Sequence, residues 1–139
     1  MASRRPPRRR RAGAASVELA LLLPLLAFLF VIGFDYARIF YFTITVQNCA
    51  RAGAVWASDP TAQADSPYAN VTAAAQAEAP SLSPKPSVSS TSGTDTDGNP
   101  YVEVTVSYTF QTVTRYPGVP SSVNITRTVR TRTAPRLPS

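Results

Sequence analysis

Glu18 is the one ionisable side chain in an otherwise uncharged run from Ala12 to Phe34. A carboxylate inside a membrane segment costs about 2.5–3.5 kcal/mol on insertion scales, so such a residue by default marks a function. The bland reading is that Glu18, near one end of the run, reaches headgroups or water. Asp35 and Arg38 stand three apart, the spacing of an ion pair on a helix surface or of a register contact with a partner. Cys49 is the single cysteine, so an internal disulfide is excluded; it is a packed small residue or an intersubunit crosslink. With no histidine in the chain, imidazole acid–base chemistry and His-ligated metals are excluded as well. Asp95-Thr96-Asp97-Gly98-Asn99 looks like part of a calcium loop, but its Gly is fourth rather than sixth and no Glu stands twelfth, which favours a hairpin turn. No nucleophile–base pair and no ligand cluster emerges. The sequence thus predicts no catalytic residue, no metal and no cofactor, and a chain that is not an enzyme.

The elements that must position these residues fall into zones. The 139 residues carry 14 Lys and Arg against 8 Asp and Glu, a formal charge of +6. Arg4, Arg5, Arg8, Arg9, Arg10 and Arg11 supply that whole excess, so the remainder is neutral. Residues 1–13, rich in Arg and Pro without apolar periodicity, cannot offset chain entropy and read as a disordered basic leader. The following run is close to the ~20 residues a helix needs to cross the bilayer hydrocarbon, and residues 14–34 are assigned as a transmembrane helix. A chain this small has too little other apolar material to wrap a helix apolar on every side. Six Arg on one flank place the N-terminus in the cytoplasm and everything after Asp35 outside. Pro24 would cost a soluble helix about 3 kcal/mol, whereas membrane helices tolerate it with a bend or local loosening.

The helix is expected to continue over residues 35–57. Ile39, Phe42, Val46, Cys49, Gly53 and Trp56 follow one another at spacings of three and four, which is one helical face, while Arg38, Thr45, Asn48 and Arg51 lie largely off it. Ser58-Asp59-Pro60 ends it, because Pro60 lacks an amide hydrogen and disfavours helix in the residue before it. Residues 58–100 read as a loop-rich connector with a short helix within Tyr68 to Ala79 and an extended stretch from Pro80 to Pro86. Over 101–134 the period becomes two. Val102, Val104, Val106, Tyr108 and Phe110 alternate with Glu103, Thr105, Ser107 and Thr109; a second run from Ser122 sets Val123, Ile125 and Val129 against Thr126, Thr128, Arg130 and Arg132. Tyr116 to Pro120 is the turn between them, and Val88 to Thr91 adds an edge strand through Asp97-Gly98. Residues 135–139 form a tail. The expected fold class is α+β, a long N-terminal helix, half transmembrane and half exported and amphipathic, packed on a small antiparallel sheet.

Gly13-Ala14-Ala15-Ser16-Val17-Glu18, after an Arg-rich leader and before an apolar helix, resembles the class III signal of type IV pilin-like proteins. More closely, Ala12 to Leu26, Phe34-Asp35-Tyr36-Ala37-Arg38 and Gln47-Asn48-Cys49-Ala50-Arg51-Ala52-Gly53-Ala54 resemble the TadE-like pseudopilins of tight-adherence (Flp-type) pilus systems. The resemblance covers about residues 10–57. That family often has Phe after the Glu, Glu in place of Asp35 and Ala in place of Cys49. It implies that a membrane prepilin peptidase cuts between Gly13 and Ala14, leaving Glu18 as the fifth mature residue. It also implies a role for Glu18 in processing or assembly, with Pro24, Asp35, Arg38, Asn48, Arg51 and Gly53 as features of the helix. Such a cut, made on the cytoplasmic side, keeps the apolar helix as an anchor and creates an α-ammonium at Ala14, about one turn from Glu18. Opposite charges there offset each other's burial; in pilin-like assemblies the pairing is thought to be intermolecular.

The resemblance therefore implies a TadE-like minor pseudopilin, a single-pass inner-membrane structural protein supporting assembly of a Flp-type pilus or related secretion system. Its expected partners are the prepilin peptidase, other pilin-like subunits and inner-membrane pilus assembly proteins. The Arg cluster would suit a nucleic acid, but it lies in the segment expected to be removed, so no such partner is expected. Asn70-Val71-Thr72 and Asn124-Ile125-Thr126 have the form of glycosylation sequons, which the bacterial context implied by the resemblance makes uninformative. The competing reading is a single-pass anchor carrying an exported β-domain that binds surface or envelope partners, with Gly13 and Glu18 incidental.

Overall fold

A computed structural model describes residues 11–113 and 120–134. Residues 1–10 of the leader, most of the Tyr116 to Pro120 turn and the 135–139 tail lie outside the described residues. Six elements follow in order: α1 (Arg11–Ser58), α2 (Pro60–Ala64), α3 (Val71–Ala77), β1 (Ser87–Thr94), β2 (Pro100–Gln111) and β3 (Ser122–Arg132). The fold is α+β, one long helix packed on a three-stranded antiparallel sheet.

Helix α1 is a single element of 48 residues that runs through Pro24 without a break. From Gly13 onward it is long and apolar enough to cross a membrane, and its first half is exposed, with Leu21 and Phe30 about three-quarters open. Packing begins at Asp35. Val46, Cys49, Ala50 and Ala54 are then completely buried, so the docked face is wider than the stripe and carries small residues that let other elements come close. The helix ends at Ser58, and Asp59 caps α2 by accepting from the Thr61 amide at 2.8 Å. Asn70 caps α3 in the same way through the Ala73 amide, also at 2.8 Å.

The sheet order is β1-β2-β3, with β2 in the centre. Its alternation is complete: Val102, Val104, Val106, Tyr108 and Phe110 are buried against α1. Fully burying one such side chain contributes about 1.5–3 kcal/mol, so this row and the α1 face supply most of the cohesion. The other face is polar. Thr105 and Thr128 share a hydrogen bond at 2.9 Å, Ser107 and Thr126 one at 3.0 Å, and Arg130 donates to Glu103 at 3.0 Å. Strand β1 is longer than the Val88 to Thr91 segment expected, because its register with β2 runs from Ser87↔Ser107 to Thr94↔Pro100. At the turn between them Asp95 Oδ1 accepts from the amides of Asp97 and Asn99 at 3.0 and 2.7 Å, and Gly98 takes φ +82°, which a side chain would disfavour.

Candidate functional site

Gly13, Ala14, Glu18 and Pro24 lie together in the exposed first half of α1, away from the sheet. A Cβ built on Gly13 meets nothing within 4 Å, so packing among the described residues does not account for glycine there. Glu18 follows five positions later, still exposed, at the base of the apolar surface.

Asp35 and Arg38 form the second group, where the helix enters the folded domain. Arg38 Nη1 lies 3.5 Å from Asp35 Oδ1, the ion pair expected from their spacing. It is not a surface pair, however, because the Asp35 side chain is only 6 % exposed. Burial became possible because the same oxygen accepts a hydrogen bond from the Val113 amide at 3.2 Å, where β2 has just ended. The Arg38 guanidinium stands over aromatic rings, 4.9 Å from the centroid of Phe110 and 5.8 Å from that of Phe42. The two charges thus weld α1 to the end of the sheet.

Asn48, Arg51 and Gly53 lie further along α1. The first two are exposed and line a cavity of about 510 Å³ with Trp56, Ser66, Tyr68 and Glu78. The Trp56 indole Nε1 is buried there and has no hydrogen-bond partner among the described residues. Gly53 faces the opposite way into the core, where an added Cβ would lie 3.1 Å from Val104 Cγ1 and 3.2 Å from Ala75 Cβ. This glycine permits a close approach of α1 to both β2 and α3. Cys49 is completely buried beside it, and burial, reinforced by the negative charge of Glu78, pushes its thiol pKa up. It packs.

The candidate residues therefore separate into three places rather than one: the base of the apolar rod, the Asp35 junction and the Arg51 cavity. Sequence reasoning did not find Val113, Phe110 or Tyr68 as partners of these sites. Only the aromatic character of Phe110 on an inward-facing strand position offered any signal, since a backbone amide such as that of Val113 carries none.

No curated protein and no solved structure matches the chain. One family model does, that described as "TadE-like protein", over residues 13–55. The matched stretch begins at Gly13, passes through Glu18, the Asp35–Arg38 pair, Asn48 and Arg51, and stops before the sheet. The rod and its docked stripe are thus the part of the chain that is similar to TadE-like proteins, which is consistent with a pilin-related protein.

Proposed function

We propose that the chain is a minor pseudopilin of a Flp-type (tight-adherence) pilus or related secretion system, anchored by α1 in the bacterial inner membrane. The N-terminus is cytoplasmic and the sheet domain lies in the periplasm or outside the cell. Its role is structural: the prepilin peptidase removes residues 1–13, and the mature helix joins other pilin-like subunits and inner-membrane assembly proteins. The observation that carries this reading is the placement of Glu18 at the fifth position after Gly13, within the TadE-like match and at the base of an exposed apolar helix. The open space around Gly13 among the described residues adds support, because a small residue before a scissile bond suits a narrow peptidase pocket.

Mass spectrometry of the membrane-embedded protein tests the reading directly. A mature chain beginning at Ala14 is expected, and Gly13→Leu should block its formation more severely than Gly13→Ala. A chain retaining Met1 to Gly13 in cells with an active prepilin peptidase would favour a plain membrane anchor with an envelope-binding domain. Protease added to intact spheroplasts should digest the region after Ser58; protection of that region would reverse the assigned orientation.

A further inference from the structure

The end of the sheet domain nearest the apolar rod carries an exposed apolar ring drawn from two separate elements. On α1, Tyr36, Phe40 and Tyr41 are 60 %, 66 % and 58 % exposed, on the sides of the helix that the sheet leaves open. Val113, just past β2, is 64 % exposed and is held at the height of Asp35 by its amide hydrogen bond. Along the helix the ring continues upward only as far as Ile44; Asn48 and Arg51, the next exposed residues on that side, are polar. Below it, Phe30 and Phe34 join it without interruption to the apolar surface of the rod.

The depth can be counted. About 20 helical residues cross ~30 Å of hydrocarbon. Counted from Leu19, the first residue beyond Glu18, that length ends at Arg38. Tyr36 to Tyr41 then rise through about 8 Å centred on the hydrocarbon boundary, comparable to one headgroup layer of about 5–8 Å. Tyrosine is suited to that layer, with an apolar ring and a hydroxyl that stays wet. A carboxylate at this depth needs shelter from lipid, and Asp35 has it in the Arg38 charge and the Val113 amide. A second helix would be met by a stripe along α1, whereas residues from two elements at one height meet a plane.

We infer that the domain is seated on the outer surface of the bilayer at its Asp35–Val113 junction, with Tyr36, Phe40, Tyr41 and Val113 in the headgroup layer, so that the sheet does not stand clear of the membrane. The inference rests on the membrane-anchor reading of α1. The test uses the full chain in phosphatidylethanolamine–phosphatidylglycerol liposomes, with a nitroxide placed by Val113→Cys, Leu26→Cys or Thr96→Cys in a Cys49→Ala background. Collision with a water-soluble nickel chelate should be several-fold lower at position 113 than at position 96, and lowest at position 26. Equal collision at 113 and 96, with 26 protected, overturns the seat and leaves the anchor standing. Free access at 26 overturns the anchor and the seat together. Protection at 113 that disappears as lipid is added at constant protein assigns the ring to a second copy, and overturns the seat. Phe40→Trp with Trp56→Phe gives an independent reading: lipids brominated near the headgroup should quench it, and an unquenched tryptophan contradicts the proposal.

Discussion

Asp35 Oδ1, in the middle of α1, accepts the backbone amide hydrogen of Val113 across 78 positions of sequence, and the same oxygen faces the Arg38 guanidinium. Removing the carboxylate leaves a part-buried amide and a cation without this partner. Asp35→Ala is therefore expected to lower stability by about 2–4 kcal/mol. Asp35→Asn, which keeps an acceptor and loses the charge, should cost less. Thermal unfolding of the detergent-solubilised chain, followed by circular dichroism, checks both; equal stability of Asp35→Ala and the parent would show that the junction contributes nothing.

Gly53 admits little more than hydrogen, since an added Cβ already falls 3.1 Å from Val104 and 3.4 Å from Val71 Cγ2. A branched side chain must push α1 away from β2 and α3. Gly53→Val is predicted to cost about 1–3 kcal/mol through overpacking, despite replacing glycine in a helix. Denaturant titration measures the loss. An unchanged midpoint would mean that the helix can move outward freely.

The Asp95 carboxyl is held below its ordinary pKa, first by the Asn99 backbone amide, then by the Asn99 side chain, the Asp97 amide and the Arg132 charge. Because the folded value is the lower one, the unfolded chain binds more protons in between. The contribution is present above the ordinary carboxylate value and is lost as pH falls through the depressed one. Asp95→Asn should flatten that acid limb of the stability curve. The Asn99 amide resonance should shift over the same low range, and a midpoint at the ordinary value would contradict the prediction.

Glu18→Ala makes the exposed half of α1 more apolar, so insertion into the membrane is expected to persist. If the carboxylate pairs with the Ala14 ammonium of a neighbouring subunit, the variant should be stable and embedded yet fail to support assembly. Subunit crosslinking and pilus formation report on this. Unchanged assembly, at normal processing and protein level, would leave Glu18 merely reaching the headgroups.

The legible parts of the fold were those written in local period. The inward row from Val102 to Phe110 follows from spacing, and the neighbouring sequence also supplies the rod, from its unbroken apolar run, and the rod's end, from Pro60. Strand β1 was harder to read, because a serine-rich edge strand with only Val88 and Gly93 half-buried takes its extent from pairing with β2. The same limit applies to the site. That Asp35 and Arg38 form a pair could be read from their spacing of three; that Asp35 is buried depends on an amide far along the chain. Likewise Arg51 and Asn48 were placed off the core face, while the cavity they line is completed by Ser66, Tyr68 and Glu78 from the loops beyond α1.

Helix and sheet are fastened at both ends of their contact. At one end Val113 donates to Asp35, and at the other the Ala134 amide donates to the Ser58 carbonyl at 2.8 Å. The lengths agree: Asp35 to Ser58 rises about 34 Å at ~1.5 Å per residue, and the 11 residues of β3 span about 36 Å at ~3.3 Å each. Two fastenings on one rod leave the domain neither a hinge about its lower edge nor a swivel about the helix axis. Mechanically the sheet domain behaves as a vane fixed to a shaft, so that any rotation of the shaft above Pro24 turns the polar face of the sheet through the same angle.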